Sequence, residues 1–132
     1  MTFLFAFLLF AATTSIAIAE TFPTGTFSPR PGPQQAPLGQ VELTNKGENY
    51  FLRFQMANKW EEVRVQPMKA SELQGAIGQD PVPVSARGLS TGTIAFILVK
   101  PNTQIRGHTI STGIVLVSPF LGPGGTAELA KK

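Results

Sequence analysis

Polar and apolar residues alternate along two neighbouring stretches in the middle of the chain, 41–44 and 50–56. The segment between them, 45–49, contains Asn, Lys and Gly and has the composition of a tight turn. Because successive side chains of a strand point to opposite faces, a period of two on both sides of a turn predicts a β-hairpin. Phe51 is the exception, since it places an aromatic ring on the otherwise polar face.

A third strand is expected over 60–66, after a further turn at 57–59. Val63 and Val65 face inward in this strand, and Trp60 is out of phase with them. Trp60 therefore either precedes a bulge or closes one end of the core.

Residues 68–77 form the one stretch with helical character. Pro67 precedes it, and Leu73 and Ile77 fall on one helical face four residues apart. A helix this short does not stand alone in water, so we expect it to cover one end of a sheet or barrel.

A phrase is repeated in the second half of the chain, LSTG at 89–92 and ISTG at 110–113, and each copy is followed by an apolar run that stops at a proline. Glycine supplies positive φ, and serine and threonine hydroxyls bond to turn backbone, so both copies predict turns. Reuse of one turn chemistry accounts for the repeat better than duplication of a unit. The elements expected around the phrases are an edge strand over 82–86, a turn at 88–92, strands over 93–99, 103–110 and 114–117, and a final strand over 126–130.

The apolar runs at 94–99 and 114–117 have no polar position. Strands that are apolar on both faces are covered on both faces. The cover is the helical segment, the N-terminal arm with Phe22 and Phe27, a second chain, or a bound apolar ligand. If cover within the chain is incomplete, this face is an interaction surface. Its candidate residues are Ile97, Val99, Val115 and Val117.

The first residues have the pattern of a secretory signal peptide. A wholly apolar run at 3–12 is followed by Thr-Thr-Ser and then by Ala17-Ile18-Ala19. The run is shorter than the roughly 20 apolar residues that a spanning helix needs, so we expect cleavage after Ala19. No Lys or Arg precedes the run, which leaves an uncleaved anchor over 3–19 as the alternative.

Residues 20–39 have the composition of an arm or linker, with five prolines among glycines and glutamines. Proline fixes φ and donates no hydrogen bond, which favours extended, solvated backbone. Within this segment, 24–27 is expected to form a first edge strand, with Phe22 and Phe27 against the core.

Composition narrows the function classes. The chain has 132 residues and no cysteine, so the exported part is one domain held by apolar burial without disulfides. The net charge of +3 comes from scattered residues, not from the basic patch of a nucleic-acid binder. The one histidine, His108, and the one aspartate, Asp80, provide too few groups for a catalytic triad or a histidine-rich metal site.

The sequence thus predicts an all-β fold with one short helical segment: a small antiparallel β-barrel or β-sandwich of about seven or eight strands, mostly a meander. Residues 1–19 are the signal peptide, 20–39 the arm or linker, and 40–132 the β-domain. The expected function is a non-enzymatic binding module, periplasmic or extracellular, for a protein partner or an apolar small ligand. A self-assembling structural subunit is the alternative, and an enzyme is less favoured. No cofactor, metal, nucleic acid or membrane span after cleavage is expected.

Overall fold

A computed structural model describes residues 21–30, 38–78, 85–119, 121 and 125–132. The expectations for the signal peptide, for Asp80 and for a strand over 82–86 fall on or overlap residues outside these ranges. The strands are β1 Gly25–Pro29, β2 Leu38–Lys46, β3 Asn49–Met56, β4 Lys59–Pro67, β5 Arg87–Ser90, β6 Ala95–Leu98, β7 Thr103–Ile105, β8 His108–Ile110, β9 Ile114–Val117 and β10 Thr126–Lys131. The helix, α1, is Ala70–Ile77.

Eight of the strands close into an antiparallel barrel in the order β1-β10-β9-β6-β5-β4-β3-β2. The prediction of a mostly meandering all-β fold with one short helix is confirmed, and closure makes it a barrel. Between β6 and β9 the chain forms the separate β7–β8 hairpin, and between β4 and β5 it forms α1. Each of the eight strands has a neighbour on both sides, and the contact between β4 and β5 is confined to Gln66 and Pro67 at the end of β4.

The first strand belongs to the barrel wall. β1 pairs with β2 on one side and with β10 on the other, so it is not the edge strand that the sequence suggested. Phe22 and Phe27 are buried against the core as expected. The structure therefore takes residues 25–29, from the segment assigned to an arm, into the β-domain.

Two hairpins reverse through two-residue loops in which both residues have positive φ, as in type I′ turns. Ala57 and Asn58 form the loop between β3 and β4. Arg106 and Gly107 form the loop between β7 and β8. The prediction of one continuous strand over 103–110 is therefore wrong, because the chain reverses in its middle.

The two repeated phrases share one local device. Gly92 and Gly113 both have positive φ, and Thr91 and Thr112 each accept a hydrogen bond at Oγ1 from the amide two residues later, at 3.3 and 3.2 Å. The predicted turn chemistry is thus present at both places. The first turn starts later than expected, because β5 extends through Ser90.

The barrel interior is filled by side chains. Phe27 and Phe96 meet edge to face at its centre, with 5.3 Å between ring centroids. Phe22 closes one end against Tyr50, whose hydroxyl accepts a hydrogen bond from the Phe22 amide. The remaining buried members of this core are Leu38, Val41, Leu43, Leu52, Val65, Leu89, Ile94, Leu116, Leu121 and Leu129.

A second apolar core lies outside the barrel wall. The outward-facing side chains of β6 and β9 pack beneath Leu73 and Ile77 of α1 and Ile105 and Ile110 of the β7–β8 hairpin. The helical prediction is confirmed, with Leu73 and Ile77 on its buried face. Instead of closing a barrel end, however, the helix contributes to this outer layer.

Candidate functional site

The structure places the four predicted interaction residues together on one face. Ile97 and Val115 are fully buried, and Val99 and Val117 are 8% and 7% exposed. Their cover comes from α1 and the β7–β8 hairpin of the same chain. Of the alternatives that the sequence left open, the described residues show cover within the chain.

The outer face of β2, β3 and β4 has a different character, and we call it the cation–aromatic face. It consists of outward-pointing residues on three paired strands, where alternation places every second side chain on the outside. It includes Glu42, Phe51, Arg53, Trp60, Glu62 and Arg64, together with Lys46 at the end of β2. In the closed strand order β3 lies diametrically opposite β9, so this face and the outer layer are on opposite sides of the barrel.

Trp60 is the residue that distinguishes the cation–aromatic face. It is 44% exposed, the one large apolar side chain among the described residues that is exposed to this degree. The Arg53 guanidinium lies over its ring, 4.6 Å from the centroid, and also donates to Glu42 Oε1 at 2.8 Å. The indole is therefore held by a cation whose own position is fixed by a carboxylate.

A second cation–ring pair lies on the same face. Lys46 Nζ lies 5.1 Å from the centroid of Phe51 and 3.8 Å from Glu62 Oε2. Arg64 is opposite Phe51 in the ladder, is exposed, and makes no ion pair with any other residue that the structure describes. The cation–aromatic face thus combines two aromatic rings with an excess of positive charge.

Sequence reasoning noticed that Trp60 breaks the inward phase of β4 but did not assign it to a surface. The register of the β3–β4 hairpin was the signal that could have placed Trp60 on the outer face. A two-residue loop at 57–58 sets Gln55 opposite Trp60, and Gln55 is on the polar face of its strand.

A groove of about 370 Å³ separates α1 from the rim of the barrel. Its apolar lining includes Met68, Ala76, Ile94, Ala95 and Val117. Ser90 and Thr93 also line it. Two charged side chains also line it, Glu72 from α1 and Arg106 from the β7–β8 loop. The volume and the mixed lining are those of a small-molecule site. This groove is therefore a candidate site for a small ligand.

The Glu128 carboxyl has a lowered pKa. Partial burial raises the pKa of its carboxyl, but hydrogen bonds from the Thr112 amide and the Ser111 hydroxyl, together with the charge of Arg30, outweigh burial and leave the pKa below its ordinary value. These partners tie β10 to the turn before β9, which is a structural role.

The described residues contain no group of three or more His, Asp and Glu side chains able to hold a metal ion. His108 is half-buried at the start of β8. Glu61 and Glu62 are adjacent on a strand and project to opposite faces, so they do not act as a pair.

Comparisons with known proteins give no family for this chain. No protein-family model, curated protein or solved structure matches it. Within the described ranges, no helix is long and apolar enough to cross a membrane.

Proposed function

We propose that this protein is an exported, non-enzymatic binding module of the cell envelope or extracellular space, and that it recognises a partner protein through the cation–aromatic face. The observation that carries the proposal is the exposed Trp60 ring held beneath Arg53. Trp and Arg are the residues most enriched at the energetic centres of protein interfaces. A ring already fixed by Arg53 and Glu42 loses little freedom on binding, which favours affinity.

The charges on this face specify the kind of partner. Arg53 and Lys46 are each paired with a glutamate, whereas Arg64 has no ion-pair partner among the described residues. A complementary surface therefore presents an apolar pocket for the indole beside acidic side chains for Arg64. The face is an open sheet surface, which suits a protein better than a small molecule.

Photo-crosslinking tests this proposal. A photoreactive residue at position 62, next to Trp60 on the exposed face, should give one discrete adduct in the native compartment. The same residue at Gln74, exposed on α1 across the barrel, is the matched control and should not. Trp60→Ala should abolish the adduct at position 62, and Trp60→Phe should retain part of it.

The mass of the adduct separates the two function hypotheses. An adduct with a different protein supports the binding module. An adduct of twice the chain mass would instead support the alternative, a structural subunit that assembles with itself. Absence of any adduct specific to position 62 would overturn both assignments of this face.

Export is tested independently by the mass of the protein. Cleavage after Ala19 gives a mature chain that starts at Glu20, because small side chains at Ala17 and Ala19 fit the specificity of signal peptidase. A mass that includes Met1, found in a membrane fraction, would instead support the uncleaved anchor.

A further inference from the structure

The groove between α1 and the barrel rim has opposite charges towards its two ends. Its floor is apolar, built from Ile94, Ala95 and Val117 of the barrel and Met68 and Ala76 of the helical segment. Such a floor favours an apolar group. The charges therefore decide which apolar ligand fits.

The positive end is Arg106, and its guanidinium is held in place. Nε donates to the Ala76 carbonyl at 2.8 Å and Nη2 to the Gly75 carbonyl at 3.2 Å. These bonds fix the plane of the guanidinium at the last turn of α1, where the helix dipole favours a cation. A guanidinium has five N–H donors, and these two bonds use the donors on Nε and Nη2. The Nη1 donors therefore remain to bind a further acceptor.

The backbone of Arg106 shows that this placement has a cost. Its φ is 50°, in the left-handed region where Asn or Gly is the usual residue of a type I′ loop. An arginine here is disfavoured locally. Only a long side chain, however, reaches helix carbonyls that belong to residues about 30 positions earlier in the chain.

The negative end is Glu72, in the first turn of the same helix. Its Oε1 accepts the Lys69 amide at 2.7 Å, which caps the helix and fixes the carboxylate. Glu72 makes no ion pair within the described part of the chain, so Oε2 is available to a cation. Each charged group thus bonds to the backbone of the helical segment with some of its polar atoms. Its other polar atoms remain available to a ligand in the groove.

The two backbone groups that hold the charged side chains in place give the approximate length of the ligand. The capped amide of Lys69 and the carbonyl of Ala76 are seven residues apart along α1, or roughly 10 Å at the helical rise. An extended chain covers about 3.3–3.6 Å per residue, so three residues span this distance.

From these features we propose that the groove binds a short peptide of about three residues with free termini and an apolar central side chain. Its ammonium group pairs with Glu72, its carboxylate pairs with Nη1 of Arg106, and its central side chain lies on the floor of Ile94, Ala95 and Val117. Ser90 and Thr93 also line the groove, where hydroxyls can bond to peptide groups. The inference does not rest on the protein-partner proposal, because the groove and the cation–aromatic face are on opposite sides of the barrel.

A titration followed by NMR tests the inference with the tripeptide Ala-Leu-Ala as the probe. Saturable shifts should appear at the amides of Gly92, Thr93 and Gly125, which line the groove. N-acetylated and C-amidated forms of the tripeptide should each bind about tenfold more weakly, because each lacks one charge-assisted pair. A form blocked at both ends should be weaker still.

Two variants test which residue binds each terminus of the tripeptide. Glu72→Gln keeps an oxygen to cap Lys69, and Arg106→Asn places the preferred residue in the type I′ loop, so both should fold. Glu72→Gln should weaken the free tripeptide about tenfold and leave the N-acetylated form unchanged relative to the wild-type protein. Arg106→Asn should likewise weaken binding of the free tripeptide about tenfold, and it should leave binding of the C-amidated form unchanged relative to the wild-type protein.

Two other results of the titration would overturn the proposal. Equal binding of the free and doubly blocked tripeptides would overturn the proposal and show a groove that recognises apolar groups alone. Shifts confined to other residues, or absent at millimolar tripeptide, would overturn it as well. Neither result bears on the cation–aromatic face.

Discussion

The rings of Phe27 and Phe96 meet edge to face, 5.3 Å apart, and both residues are fully buried. Phe27 comes from β1, in the proline-rich part of the sequence, and Phe96 from β6, across the barrel. One aromatic contact therefore joins the segment that looked like a spacer to a wholly apolar strand of the barrel wall. It makes the N-terminal strand part of the core.

Replacing Phe96 by alanine should destabilise the protein by about 3–5 kcal/mol, because a buried aromatic side chain leaves a cavity that its neighbours fill incompletely. Phe51→Ala is the matched control, since Phe51 is half-buried on the outer face and should cost much less. Chemical denaturation gives both values. Equal losses for the two variants would contradict the assignment of Phe96 to the centre of the core.

Replacing Ile97 by lysine should unfold the domain or strip α1 from it. The new ammonium group would lie in the apolar layer between the barrel, α1 and the β7–β8 hairpin, with no partner there. Trp60→Lys, on the exposed face, should leave the fold intact. Melting followed by circular dichroism, together with size-exclusion chromatography, separates the two. A folded Ile97→Lys variant would mean that the outer layer opens to water.

The glycines of the two repeated phrases should tolerate alanine unequally. Both have positive φ, so alanine is strained at either. A Cβ at Gly113 would also lie 2.5 Å from the Val99 carbonyl oxygen, whereas a Cβ at Gly92 would meet nothing within 4 Å. Gly92→Ala should therefore cost about 1–2 kcal/mol and Gly113→Ala clearly more. Thermal midpoints compare them, and a reversed order would show that the second turn relaxes freely.

Glu128 should make stability depend on acid pH. Its pKa is lowered in the folded protein, so its contribution is fully present above the ordinary glutamate pKa and is lost as pH falls through the folded value. Denaturation of the wild-type protein and Glu128→Gln at neutral pH and near pH 3 measures this contribution. The stability gap between them should narrow at the lower pH, because the other carboxylates titrate in both proteins. A constant gap would exclude the linkage.

The alternation of apolar and polar residues, together with the turn residues, predicted most of the fold. The alternation that puts Leu43 and Leu52 in the barrel core, and the apolar face of α1 at Leu73 and Ile77, were readable from spacing alone. Period two and period 3.6 are local properties, so a single sequence contains them. Closure into a barrel depends on which strands pair at long range, and local patterns do not specify that pairing.

The misread elements have local causes. Arg106-Gly107 was taken as strand interior because arginine is an unusual residue for a left-handed loop position, and the contact that explains it is with distant helix carbonyls. The strand before the first repeated phrase was ended too early, because residues 88–90 were assigned to the turn, whereas β5 extends from Arg87 to Ser90. In both cases a tertiary contact decides a backbone conformation that the neighbouring residues leave open.

The candidate sites were less accessible to sequence reasoning than the fold. The predicted face at Ile97 and Val115 was identified as a surface needing cover, and its cover turned out to be α1 and the β7–β8 hairpin. The position of Trp60 over Arg53, and of Glu72 and Arg106 around one groove, depends on strand register and on contacts between elements far apart in sequence.

The closed wall has a kinetic consequence. Phe27 pairs with Lys131, so the seam between β1 and β10 joins the two ends of the described chain. A nascent chain has one side of β1 unpaired until β10 has been synthesised. Loop closure of this span is slow compared with formation of the β2–β3 and β3–β4 hairpins. We therefore expect β1 and β10 to pair last during folding, and removing β10 should leave an open, aggregation-prone sheet.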